Sequence, residues 1–296
     1  LPPIAVVSAM ALGTSSVLTF AAEGSDDGGA LADGSDARYQ IDRAIEAAGE
    51  LPPPDTWHWT LTYTAIASLE AQTRALDSIV VVIDHNDALF EHARREFPRH
   101  LVVENEGVRG VSGARNAGVD ACTTDLIAFL DDDAVADPDW LAGLIDAFGD
   151  ESVLGVDSNL RPAWLDTPPD WFPDEFLWVV GCSYVGLPEH RREIRNLIGA
   201  AMIVRRSAFD IAGGFRSDLG RLGRVPVGCE ETEFSIRAAA AIPGGRFLHE
   251  PAVSAAHEVP TERMSRRYFL RRCWSEGVSK AVMTRFVGTS RGLASE

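Results

Sequence analysis

From residue 60 onward the hydrophobic pattern switches between two periods. Tyr63 to Gln72 is apolar at helical spacing, and Ile79 to Ile83 is an unbroken β-branched run that stops at Asp84. The first predicts an amphipathic helix, the second a strand buried on both faces as in a parallel sheet. Asp87 can cap a helix that stops before Pro98, Leu101 to Val103 reads as a short strand, and Ser112 to Ala121 as a helix. Leu126 to Leu130 is a second buried strand, and it ends in Asp131, Asp132 and Asp133. Asp137 with Pro138 reads as an N-cap and a first-turn proline, opening a helix that ends near Gly149. Such alternation predicts an α/β fold with right-handed crossovers, its mainly parallel central sheet flanked by helices.

On either side the pattern weakens. Residues 1–59 hold no Lys or Arg before Arg38, a Gly-, Asp- and Ala-rich run from Glu23 to Asp36, and three prolines at Pro52 to Pro54. That composition buries little apolar surface and predicts a poorly specified extension. Residues 60–256 read as the main domain and 257–296 as a C-terminal Arg-rich helical segment. After residue 150 aromatic residues crowd between Trp164 and Trp178, interleaved with prolines. Ser207 to Ala212 and Glu230 to Ala241 read as helices, Phe247 to His249 and Ala252 to Ala255 as short strands, and Met264 to Met283 as a long helix.

The formal charge of −17 argues against a nucleic-acid partner held by phosphate neutralisation. The four cysteines lie far apart, with no Cys-x-x-Cys pair, so buried thiols are expected rather than a zinc site or a disulfide scaffold. Residues 4–22 are fairly apolar but lack a basic leading segment, a weak pattern for a signal peptide or anchor, and no later stretch could span a bilayer.

The triple aspartate is the sharpest chemical signal. It follows a buried strand, at the sheet edge where open α/β folds bind ligands. In extended chain Asp131 and Asp133 point one way and Asp132 the other, so two carboxylates suit a hard cation such as Mg²⁺ or Mn²⁺. A solvated acidic turn is the alternative, but Asp137 already supplies the helix cap. Asp84 ends a strand on the same edge and reads equally as a turn residue or as an acceptor for ribose or base. Gly107, Gly110 and Gly113 precede a helix at a spacing that is not the dinucleotide fingerprint, with Arg115 and Asn116 one turn further on. Glu230, Glu231 and Glu233 open a helix whose dipole favours carboxylates, which suffices to explain two of them. His257 alone reads as an ordinary satisfied histidine. Arg263, Arg266, Arg267, Arg271 and Arg272 form either a solvated face or an anion site.

In order along the chain these pieces resemble family-2 glycosyltransferases of the GT-A fold. The resemblance rests on Gln72-Thr73, the strand to Asp84, Asn105 with Gly107 and Gly110, and Ala114 to Gly118. It continues through Phe129 to Asp133, Gly213-Gly214-Phe215, Glu230-Glu231 before Phe234 and Arg237, and His257. It covers residues 61–285, and Trp178 to Cys182, Arg195 to Gly199 and Tyr268 to Lys280 are similar to an actinobacterial and haloarchaeal subgroup. The resemblance implies an inverting transferase using a nucleotide-diphospho-sugar donor and a sugar or lipid-linked acceptor. Asp84, Arg115, Asp131 and Asp132 would bind the nucleotide. Asp131, Asp133 and His257 would hold Mg²⁺ or Mn²⁺, and Glu231 would be the general base. A cytoplasmic location, with contact at the membrane face, follows from the same resemblance.

One feature departs from the family. Its first strand should lie just before the helix at Tyr63, where Pro52 to Trp59 stand instead. Ile4 to Ser8 is the nearest substitute, more than fifty residues earlier. Either the extension loops back to supply that strand, or the N-terminus is altered; the composition favours the second. A non-catalytic chain of the same fold, lacking that strand, is therefore the competing reading. A metal phosphohydrolase ranks lower, for want of a nucleophile motif.

Overall fold

The computed structural model describes residues 3–10, 57–219 and 228–292. In its first half, β1 (Ile4–Met10), α1 (Trp57–Glu70), β2 (Ser78–Asp84), α2 (Asp87–Glu96), β3 (Leu101–Asn105), α3 (Val111–Ala121) and β4 (Leu126–Leu130) alternate strand and helix. Then follow β5 (Ala134–Ala136), α4 (Trp140–Asp146), β6 (Val153–Trp164), β7 (Arg192–Ile194), β8 (Ala201–Arg205), α5 (Arg206–Ala212), α6 (Glu230–Ala241), β9 (Arg246–Val259) and α7 (Arg266–Val287). The strands form one sheet in the order β3-β2-β1-β4-β8-β6-β9-β5, with β7 also on β9. The β3-β2-β1-β4 half is wholly parallel, whereas β8 runs antiparallel to both β4 and β6. Asp84 ends β2 and Asp131 follows β4, both at the carboxyl ends of parallel strands, and so they lie on one edge.

β1 corrects the expectation of a missing first strand. It sits between β2 and β4, with Val6 opposite both Ile79 and Ala128. Ile4 and Val6 enter the core beneath α1, while Ala5 and Val7 enter the core on the α3 side. Ile4–Met10 supplies the strand that was expected to be missing ahead of α1. The expectations for residues 11–56 lie outside the described residues.

Gly118 of α3 reports on this arrangement. A Cβ there would stand 2.2 Å from Val7 Cγ1, so helix and strand touch through the missing side chain. Gly118→Ala is expected to cost about 1–3 kcal/mol of overpacking. Val7→Ala in the same chain should recover much of it, since the two sites share one contact. Urea unfolding of both single variants and the double variant checks this. Strict additivity would place β1 elsewhere.

Several boundaries move for local reasons. Asn86 rather than Asp87 caps α2, accepting from the Leu89 N–H at 3.0 Å. Asp139 rather than Asp137 stands at the N-cap of α4, and the Asp137 carboxylate takes the Arg161 guanidinium at 2.7 Å. The two short strands expected near 247–255 are one strand, β9, and the twelve-residue β6 paired along it was not read from the sequence at all. The last helix begins at Arg266, after a turn over Thr261–Met264.

Candidate active site

The edge of the sheet beyond β4 opens into a cleft of about 650 Å³. Its floor is the turn after Leu130, where the Asp131 N–H bonds the Ala200 carbonyl at 2.9 Å. β5 then pairs with β9 so that Ala134 stands opposite His257. This register brings His257 Nε2 to 3.2 Å from Asp133 Oδ1. Ligand atoms of Asp131, Asp133 and His257 all lie within 4.8 Å of one another. Two carboxylates and an imidazole are donors that fit a divalent cation such as Mn²⁺. Gly181, at φ 88°, leaves the ring its place, since a Cβ there would stand 3.1 Å from His257 Cε1.

Asp132 also lines the cleft. Burial, and then the charges of Asp133 and Asp131, push its carboxyl well above the ordinary range. Burial pulls the His257 imidazole down, but Asp133 and Cys182 outweigh it and raise it well above its usual value. Arg263, which the sequence grouped with the cationic helix, sits in the turn ahead of it and reaches Asp133 at 3.7 Å.

Across the cleft, α6 begins at Glu230. The buried Arg115 of α3 ties the two walls together. Its guanidinium donates to Asp131 at 3.0 Å, to Glu230 at 3.0 Å and to the Gly199 carbonyl at 3.2 Å. Glu231, the next residue, has Oε2 buried with no hydrogen-bond partner. Its carboxyl is pushed well above the ordinary 4.5, by burial first and by Glu230 second, with Arg115 opposing. The helix dipole led to the opposite expectation. Desolvation exceeds it because the dipole amounts to only about half a charge. Glu233 points away from the cleft and forms a two-bond pair with Arg237, which also clamps the carbonyls of Ala212 and Gly214.

Asp84 shares the sheet edge but does not line the cleft. Both its oxygens are engaged internally, Oδ1 by Asn105 Nδ2 at 2.6 Å and by His85 Nδ1 at 2.9 Å, Oδ2 by the Gly110 N–H at 2.9 Å. It organises the glycine loop. A Cβ on Gly113 would stand 1.8 Å from the Val108 carbonyl oxygen, so that glycine is required by the loop's own folding.

The family model for glycosyl transferase family 2 matches residues 59–211. The chain belongs to this family. The glycosyltransferase is 32% identical over 222 residues to the glucosyl-dolichyl phosphate glucuronosyltransferase of Haloferax volcanii, spanning 74% of this chain and 71% of that protein. It is 28% identical over 224 residues to the succinoglycan biosynthesis protein ExoM of Rhizobium meliloti, spanning 73% and 68%. Its fold is that of the mannosyltransferase PcManGT from Pyrobaculum calidifontis in complex with GDP-Man and Mn²⁺. The TM-score there is 0.55 at 17% identity, over 84% of this chain and 75% of that one. GalNAc-T7 with UDP, GalNAc and Mn²⁺ gives 0.52 at 17% identity, over 77% of this chain but only 48% of that one. Both are GT-A folds.

The glycosyltransferase lines its cleft with residues the sequence singled out only as family strings, among them Trp178, Arg195, Asn196 and Tyr268. Their one independent signal was the crowding of aromatic residues before Trp178. Arg115 carries a further prediction. Arg115→Met leaves Glu230 and Asp131 without their shared cation, and a broken buried pair costs about 3–5 kcal/mol. The lower end is expected because Asp131 is partly exposed. Denaturant unfolding measures it, and a loss within the error of the method would show the bridge to be dispensable.

Proposed function

We propose that the chain performs metal-dependent, inverting transfer of a sugar from a nucleotide-diphospho-sugar to a hydroxyl of a lipid-phosphate-linked sugar. The observation that carries this reading is the unpartnered, buried Glu231 Oε2, in a cleft it shares with Asp131, Asp133 and His257. Asp131, Asp133 and His257 would hold Mn²⁺ or Mg²⁺, which when bound supplies positive charge for a diphosphate leaving group. Glu231 takes the proton of the acceptor hydroxyl as its oxygen bonds the anomeric carbon. The bond from that carbon to the diphosphate oxygen breaks on the opposite side, and its electron pair leaves with the diphosphate. One displacement inverts the configuration. Arg115 holds Glu230 and Asp131 in place, so the two walls keep their spacing while the proton moves.

The lipid-linked acceptor is supported by the name of the Haloferax relative, the donor class by the nucleotides in the two solved folds. The competing non-catalytic reading rested on an absent first strand, and Ile4–Met10 fills that place. The test of mechanism is the anomeric configuration of the product by NMR. Inversion is expected, and retention would require a covalent or front-face route that this cleft does not explain.

A further inference from the structure

The outer face of α7 carries an apolar row left open to solvent. Leu270, Trp274 and Val278 are 67%, 77% and 45% exposed. They stand four residues apart and so form one stripe. Arg267, Arg271 and Arg285 are exposed along the same side, with Arg266 beside them at the start of the helix. Among the described residues no carboxylate pairs with any of these four arginines, whereas Arg272 and Lys280 both reach Glu276.

The other side of the same helix faces the cleft. Tyr268, Arg272, Glu276 and Lys280 line it, again four residues apart. The two rows are offset by two positions, about 200° around the axis, so one helix presents opposite faces to the cleft and to the outside.

We infer that the outer face of α7 docks on the surface of an anionic phospholipid bilayer. A tryptophan among aliphatic side chains, flanked by arginines, is the make-up of a helix lying in a membrane interface. The arginine stems can lie along the apolar row while their heads reach lipid phosphates. Charge sets the orientation. The outer face holds four of the six cations of α7, whose one carboxylate, Glu276, is on the cleft face, in a chain of net charge −17, so an anionic surface attracts this side and repels the rest. Docked this way, the cleft lies about one helix diameter, roughly 10 Å, from the lipid surface. A sugar carried on a lipid phosphate spans such a distance. That purpose rests on the proposed acceptor; the surface chemistry does not.

Flotation of the full chain with vesicles tests this, without donor or acceptor. Binding is expected to vesicles of equimolar phosphatidylcholine and phosphatidylglycerol at low salt. It should weaken with added salt and be lost on phosphatidylcholine alone. Trp274→Ser should lower partitioning about tenfold, and Arg267→Gln and Arg271→Gln about fivefold each. Leu270→Ser/Trp274→Ser/Val278→Ser should abolish it while Mn²⁺-dependent nucleotide binding shows the fold intact. Glu231→Gln should float like the parent, which separates this surface from the proposed chemistry. Absence of the parent from the floating fraction overturns the inference, as does parental flotation of the triple variant. A dimer in light scattering that the triple variant dissolves would assign the face to a second copy and overturn it equally.

Discussion

Glu231→Gln is expected to lose sugar transfer by about 10²–10⁴-fold while donor affinity stays within a few-fold. Initial rates and isothermal titration with the donor nucleotide measure the two separately. The expectation follows from position: Glu231 Oε2 is buried and unpartnered, while Glu230 is held by Arg115 and Glu233 by Arg237. Glu233→Gln should therefore keep transfer and lose thermal stability instead. The raised carboxyl of Glu231 adds a pH dependence. A base must be ionised, so transfer should rise with pH along a limb above the ordinary carboxylate range, and that limb should vanish in the glutamine variant. Stability runs the other way. A folded-state value raised above the unfolded one stabilises fully below the unfolded value, and the contribution is lost as pH rises through the folded value. Above the ordinary carboxylate range the parent meets a cost of ionising Glu231 in the fold that glutamine avoids, so Glu231→Gln should melt at or above the parental temperature. Near-parental transfer by this variant would move the base elsewhere, with Glu230 the first candidate.

Asp133→Ala is expected to abolish Mn²⁺-dependent binding of UDP and GDP while the protein stays folded. The side chain is shared between Asp131 and His257 in the candidate metal group, and removing it leaves only two of the three donors. The backbone there is anchored independently, because the Asp133 carbonyl accepts from the Glu258 N–H at 2.9 Å. The sheet contact between β5 and β9 thus survives the substitution. Titration of each nucleotide with and without Mn²⁺ decides it. A variant that binds as tightly as the parent in the presence of metal would exclude Asp133 as a ligand.

Much of this was legible in the chain itself. β2 and β4 are unbroken β-branched or apolar runs buried on both faces, and α1, α3 and α6 carry their signals within one or two turns. The acidic turn after Leu130 and the pair at Glu230 were likewise visible, because a motif is a local string. β1 was also a local apolar run, but its place in the sheet depends on partners at Ile79 and Ala128, and spacing along the chain cannot show which strands pair. His257 read alone was an ordinary histidine. Only the β5 and β9 register sets it beside Asp133, 124 positions away. Arg115 was expected among the nucleotide-binding residues, and packing made it the buried link between Asp131 and Glu230. The charge of Glu231 shows the same limit. Sequence supplied a helix start that favours ionisation, and the fold supplied the burial that opposes it more strongly. The sequence by itself determined which segments become strands and helices and where carboxylates end them, since those depend on near neighbours. Which of these carboxylates face one another, and which are desolvated, was decided by tertiary structure, because distance and burial are properties of the packed chain.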